Sequence, residues 1–201
     1  MSHPLPSRRL TPEEYLAFEE AAPTKHEYVA GEVYAMSGVR RGHAKIVRNV
    51  SFLLHTAARG GSCDVITTDV KLGVGRDRFY YPDVMVVCTP GPDDELVIRD
   101  PCLVVEVTSP STARIDRGEK RDAYLGLPPL RAYLVVDHRR RRVQWWARDG
   151  ADAPWRDGEA VDGAIDVPCP ATALSLDEIY EGLQLLAVGE DEAPEYETAD
   201  A

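Results

Sequence analysis

Cys102-Leu103-Val104-Val105-Glu106-Val107-Thr108 is the most hydrophobic run of the chain and reads as a central strand of a sheet. A carboxylate inside such a run carries a heavy desolvation cost unless something positive meets it. A second acid, Asp83, lies in the apolar run Tyr80-Tyr81-Pro82-Asp83-Val84-Met85-Val86-Val87. Pro82 cannot donate a ladder hydrogen bond, so this strand must bend or run at an edge, and a bend there turns Asp83 out toward a cleft. Side by side in one sheet, the two runs bring both acids to one spot. That arrangement suits a hard divalent cation such as Mg²⁺, which takes oxygen ligands and usually only one or two protein carboxylates.

Outward from this pair, the pattern alternates helix and strand. Thr11-Pro12-Glu13-Glu14 is a helix start, with a capping Thr, Pro at the first position and acids in the first turn; the helix should end near Glu20, before Pro23. Tyr28 to Ser37 reads as strand with a turn at Ala30-Gly31. From His43 to Arg59, Ile46, Val47, Val50, Leu53, Leu54 and Ala57 recur at helical spacing, and Gly60-Gly61 closes the segment. Cys63 to Val74 and Phe79 to Cys88 read as single strands, followed by a loop over Thr89 to Glu95. Ser109 to Thr112 caps a predicted helix over Ala113 to Leu125. Arg131 to Asp137 and Val143 to Ala147 are predicted strands around a basic turn. Ala160 to Val167 adds strand, and Ser175 opens a short helix with a capping-box-like start. The predicted class is α/β (α+β), a mixed sheet flanked by helices.

At 201 residues, 44% hydrophobic and 28% charged, the chain suits one compact domain, predicted over residues 1–188. The net charge of −11 is concentrated at one end: residues 151–201 hold fourteen acids and one base. Residues 189–201 read as an acidic, disordered tail. The near-neutral body neither advertises nor excludes nucleic acid. Cys63, Cys88, Cys102 and Cys169 are scattered without a CxxC pair and read as reduced, buried thiols. With no apolar leader and no membrane-length stretch, a cytoplasmic location is expected.

Taken in order, Tyr81-Pro82-Asp83-Val84, Glu106 within Val-Val-Glu-Val-Thr-Ser-Pro-Ser-Thr, Asp116-Arg117-Gly118-Glu119-Lys120 and Tyr124 resemble the Uma-type restriction endonuclease family, within the PD-(D/E)XK nuclease superfamily. The resemblance extends to Lys25 through Glu32, His43 and Tyr133 through Asp137, and covers roughly residues 10 to 185. It implies a restriction-endonuclease-like core in which Asp83 and Glu106 hold Mg²⁺ or Mn²⁺ for phosphodiester hydrolysis. The superfamily pattern puts a lysine two residues after the second acid, where this chain has Thr108. The replacement is Lys120, in i, i+4, i+8 register with Asp116 and Tyr124 on one helix face.

Each residue also has a plainer reading. Asp83 could cap a loop, Glu106 could form a structural ion pair with Lys120 or Arg121, and Lys120 could be a solvated helix lysine. Glu32, Glu27, His43 and Tyr124 are accessory candidates, Glu32 and Glu27 being equally readable as solvated hairpin acids. Asp69 and Lys71 read as polar-out strand residues. His138-Arg139-Arg140-Arg141-Arg142 with Trp145 and Trp146 is either a phosphate-contacting patch or a solvated hairpin turn beside packed indoles. The resulting expectation is a metal-dependent endonuclease acting on nucleic acid, DNA first, with a homodimer admitted and no membrane. The alternatives are a non-catalytic nucleic-acid-binding or assembly module on the same fold, and a hydrolase of another phosphate ester.

Overall fold

The computed structural model describes residues 8–36, 38–89, 91–108 and 116–185. Helix α1 (Pro12–Ala21) begins as the sequence predicts. Thr11 Oγ1 accepts the N–H of Glu14, the Glu14 carboxylate accepts the N–H of Thr11, and Pro12 fills the first turn. Arg8 adds a forked ion pair to Glu14. Thr11→Ala removes one half of this reciprocal cap, and urea unfolding should show a loss of about 1 kcal/mol.

Strands β1 (His26–Val29) and β2 (Glu32–Ala35) form a hairpin, with Ala30 and Gly31 both at positive φ in the turn. Helix α2 (Arg41–Ala58) buries Ile46, Val50 and Leu54, the stripe read from its periodicity.

The next two apolar runs differ from expectation. Each is two strands in two different sheets. Cys63 to Val74 splits into β3 (Asp64–Thr67) and β4 (Lys71–Val74) around Asp69 at positive φ. Phe79 to Cys88 splits into β5 (Arg78–Tyr80) and β6 (Val84–Val87) at Tyr81-Pro82-Asp83. A short β7 (Val97–Ile98) pairs parallel to β4.

Strand β8 (Leu103–Thr108) is buried at every position and sits between β6 and β9 (Ala132–Asp137), parallel to β9 and antiparallel to β6. The crossover between β8 and β9 contains a π-helical turn (Asp116–Lys120) running into α3 (Arg121–Leu125). The predicted cap at Ser109 to Thr112 and the helix start at Ala113 lie outside the described residues, as does the acidic tail. Strands β10 (Val143–Ala147) and β11 (Arg156–Ala160) complete a six-stranded sheet in the order β11-β10-β9-β8-β6-β3. The second sheet has the order β2-β1-β5-β4-β7. A separate hairpin, β12 (Ala164–Pro168) and β13 (Ala171–Ser175), leads into α4 (Leu176–Ile179), whose Ser175 makes no side-chain capping bond.

The alternation of β8 decides where the acid points. Leu103, Val105 and Val107 join Ile46, Val50 and Leu54 of α2 in one core, with Ile165, Leu174 and Ile179 from the C-terminal hairpin and α4. Val104 faces the other way, into a core shared by Leu72 and Tyr80 of the second sheet and by Tyr124, Leu127 and Leu130. Glu106 is in phase with Val104, so the pleat delivers its carboxylate to the α3 side. Buried Arg148 secures the loop after α3: it donates to the carbonyls of Leu127, Pro128, Leu130 and Ala151 and stacks on Trp155.

The cysteines correct an expectation. In place of reduced thiols, Cys63 is bonded to Cys88 and Cys102 to Cys169. Spacing alone gave no hint, because the partners lie 25 and 67 residues apart in sequence and meet only in the fold, Cys63 and Cys88 through the pairing of β3 with β6 and Cys102 and Cys169 through packing of the β12–β13 hairpin on the core.

Candidate active site

Asp83 sits in the link where the chain leaves one sheet for the other. The ladder between β6 and β8 pairs Val84 with Val105, and one step further along it Asp83 falls opposite Glu106. At that step the Asp83 side chain enters the gap: its Oδ2 accepts the N–H of Val107 at 2.8 Å. A side-chain oxygen thus takes a strand amide, and the carboxylate is fixed beside the residue that follows Glu106. His43, buried in the first turn of α2, brings Nε2 to 3.2 Å from the same oxygen. Its Nδ1 is buried without a hydrogen-bond partner. The tautomer that fits carries the proton on Nε2 and donates it to Asp83, because a proton on Nδ1 would be a buried, unsatisfied donor.

Glu106 is met by two donors from the crossover helix. Lys120 Nζ lies 3.3 Å from Glu106 Oε1, and the Tyr124 hydroxyl donates to the same oxygen at 2.9 Å. Lys120 and Tyr124 are one helical turn apart, the register read from the sequence. The Asp116 side chain, third member of that face, lies outside what is described. Lys120 is only 7% exposed, which sets aside the solvated-lysine reading. Its ammonium also reaches Glu27 Oε1 at 2.8 Å and rests over the Tyr80 ring. Burial first, then the Glu106 carboxylate, push the Tyr124 hydroxyl well above its ordinary pKa, so it remains a donor.

Thr108 explains its own departure from the lysine pattern. It is buried, and its hydroxyl leans 3.5 Å from the carbonyl of Val136 in β9, into the sheet. The cation enters from another backbone position.

Of the two hairpin acids, the structure brings Glu27 to the site and leaves Glu32 away from it. Glu32 is bound by the Tyr34 hydroxyl and by Arg9 on the exposed hairpin, and these bonds, Tyr34 first, hold its carboxyl below the usual range. Glu27 also accepts the N–H of Tyr81 at 3.3 Å. Behind it lies a buried network that the sequence reading missed. Glu19 accepts from the Tyr81 hydroxyl at 2.8 Å and the His26 N–H at 2.9 Å, and pairs with His26 Nδ1 at 3.0 Å. The network clamps Tyr81, two residues before Asp83, onto α1. Its only sequence signal was an acid four residues after Tyr15 on the buried side of α1.

The basic turn is largely engaged within the protein. The N–H groups of Arg139 and Arg140 cap Asp137 Oδ1, Arg141 pairs with Asp162 and Asp177, and Arg142 pairs with Glu159. Trp146 stacks on Tyr133, and Trp145 covers Gly158, where an added Cβ would meet the indole at 2.6 Å. Asp69 pairs with Lys25 outside the site, and Lys71 lies over the Tyr81 ring. A cavity of ≈ 360 Å³ beside α2 is lined by Arg41, Lys45, His138 and Leu183, among others. The His138 ring nitrogen Nδ1 is 2.6 Å from the Thr108 carbonyl, which places this basic cavity at the same end of β8 as Glu106.

The donor set fits a hard cation. It consists of carboxylates, and Asp83 Oδ1 carries no hydrogen bond among the described residues while Oδ2 is fixed. The acids and His43 are not drawn into a compact three-ligand cluster; among the described residues only cysteines form one. Asp83 and Glu106 are instead each held by protein partners, His43 and the Val107 N–H on one and Lys120 and Tyr124 on the other.

Comparison with known proteins agrees with this architecture. A family model, Uma2, described as "Putative restriction endonuclease", matches residues 12–183. Two uncharacterized proteins of Synechocystis sp. are similar. One is 36% identical over 182 residues, covering 89% of this chain and 95% of the relative. The other is 31% identical over 150 residues, covering 73% and 84%. The fold also resembles a crystal structure from Anabaena variabilis, titled as a "putative nuclease belonging to DUF820", with a TM-score of 0.66 at 16% identity, over 85% of this chain and 97% of that one. With the family pattern matched from α1 through α4 on a restriction-endonuclease-like core, the chain belongs to the Uma2 family.

Proposed function

We propose that the protein is a metal-dependent nuclease that hydrolyses phosphodiester bonds of nucleic acid, DNA first, with Asp83 and Glu106 holding Mg²⁺ or Mn²⁺. The observation that carries this reading is the Asp83 carboxylate seated on the Val107 N–H beside Glu106, with buried Lys120 on Glu106. A divalent cation at these acids supplies Lewis-acid charge next to the scissile phosphate. The rest of the chemistry belongs to the chain. Lys120 holds an ammonium at the acids, where it donates to a phosphate oxygen as negative charge builds in the transition state. His43 and the Val107 N–H hold Asp83 in one orientation. Tyr124 keeps one Glu106 oxygen occupied, so that the carboxylate is fixed in rotation. Arg41 and Lys45 offer positive charge for a neighbouring phosphate. A cytoplasmic setting belongs to the same proposal.

The test is conversion of supercoiled plasmid to nicked and linear forms with Mg²⁺ or Mn²⁺, with single-stranded DNA, RNA and a small phosphodiester run in parallel. Conversion that stops on adding EDTA is expected. Retained DNA binding in a mobility-shift assay, without cleavage under any of these metals, would replace the enzyme by the non-catalytic binding module. Cleavage of the small ester alone would move the substrate class.

A further inference from the structure

Four cysteine sulfurs meet at the end of the six-stranded sheet opposite the acids. Cys63 immediately precedes β3, Cys88 immediately follows β6, Cys102 immediately precedes β8, and Cys169 lies in the turn between β12 and β13. Strand pairing sets three of them side by side, since Asp64 pairs with Val87 and Val86 with Leu103. The bonded pairs are Cys63–Cys88 and Cys102–Cys169, yet the pairs also touch each other. Cys88 Sγ is 3.2 Å from Cys169 Sγ and 3.5 Å from Cys102 Sγ. The sulfurs of Cys63, Cys88 and Cys169 all lie within 4.8 Å of one another, with no His, Asp or Glu in that group; Cys102 Sγ stands outside it, bonded to Cys169 and 3.5 Å from Cys88, and joins the set once the disulfides open.

Two cross-links chosen only to tie down loops have no reason to share one spot. A tetrahedral metal does require it. With arms of about 2.3 Å, the four sulfurs around Zn²⁺ sit about 3.8 Å apart, close to the contacts between the pairs. An all-sulfur donor set selects a borderline or soft ion, not the hard cation suited to Asp83 and Glu106. We propose that the reduced chain binds one Zn²⁺ through Cys63, Cys88, Cys102 and Cys169, as a closed structural site separate from the acids. Each disulfide takes two electrons and two protons from a dithiol to give two thiols, and Zn²⁺ then displaces four protons from the four thiols. In that state the ion fastens the β12–β13 hairpin to the ends of β3, β6 and β8. It braces the far ends of the strands that present the acids, roughly 13–16 Å away along the strands.

The full-length chain, purified with a dithiol reductant, should carry one zinc per chain by elemental analysis. Replacement by Co²⁺ should give thiolate charge-transfer absorption in the near ultraviolet and intense visible bands of a tetrahedral centre. Both signals should fall to background in Cys63→Ser/Cys88→Ser. Should that variant not fold, wild-type protein supplies the check: bound Zn²⁺ should protect all four thiols from alkylation, and a chelator should reverse the protection. Four titratable thiols in folded protein with no cobalt spectrum and no protection would overturn the proposal. So would disulfides that persist in the dithiol, or zinc retained by the serine variant. None of these readouts depends on nuclease activity, so they fail or succeed apart from the plasmid assay.

Discussion

Asp83→Asn should lower metal-supported DNA cleavage by more than the roughly 100-fold that loss of an outer-shell partner costs, while leaving the fold intact. The substitution is nearly isosteric, and its amide oxygen can still accept the Val107 N–H that Asp83 Oδ2 holds at 2.8 Å. The same oxygen can still accept from His43 Nε2, 3.2 Å from it, so the imidazole keeps its tautomer. What disappears is the negative charge. Urea unfolding should therefore move by less than about 1 kcal/mol, and single-turnover nicking across a Mn²⁺ titration should show a collapsed rate or a metal midpoint displaced to high concentration. His43→Leu gives the contrast. It removes a positioning donor and leaves the carboxylate, so a loss of about 10–100-fold is expected. Cleavage by Asp83→Asn at the wild-type rate and wild-type metal midpoint would remove Asp83 from the centre.

The two acids were legible because each violates its surroundings: a carboxylate in an apolar strand demands a partner, and Pro82 breaks the ladder where Asp83 stands. The partner on Glu106 was legible too, since Lys120 and Tyr124 lie one helical turn apart. Other features were hidden. Both long apolar runs feed one core from either side of the break, Ile66 and Leu72 in the first and Tyr80 and Met85 in the second, so nothing in their hydrophobicity marks the crossing between sheets; Asp69 and Pro82 do. The choice of Glu27 over Glu32 is a matter of hairpin register and of where Arg9 lands, which pattern alone does not specify. The basic turn is the reverse case. Four consecutive arginines look like a nucleic-acid patch, yet Arg141 and Arg142 are matched by Asp162, Asp177 and Glu159 from the acidic C-terminal third. The charge imbalance between residues 151–201 and the rest of the chain is thus partly cancelled by pairing within the fold.

Lys120→Met should destabilise the protein by about 3–5 kcal/mol, the usual cost of stripping one partner from a buried ion pair, or a fall in melting temperature of at least about 6 °C for a chain of this size. Lys120 Nζ stands between Glu106 Oε1 at 3.3 Å and Glu27 Oε1 at 2.8 Å, and the Glu106 side chain is only 5% exposed. Without the ammonium, Glu106 keeps the Tyr124 hydroxyl but faces a second carboxylate across the space that Lys120 filled. Methionine occupies similar volume, so lost packing contributes little and the penalty is mainly electrostatic. The companion variant separates structure from chemistry. Glu106→Gln removes the charge that Lys120 offsets and leaves an amide oxygen for the Tyr124 hydroxyl. In the Lys120→Met background it should recover a large part of the lost stability, with a coupling energy of about 1–3 kcal/mol in the double-mutant cycle. Cleavage should stay abolished in the double variant, because both the second acid and the cation are gone. Stability restored without activity assigns Lys120 and Glu106 to the chemistry as well as to the fold. A Lys120→Met protein that melts with wild type would mean that the buried bridge does not form in solution, and the charge at the centre would then have to come from another side chain.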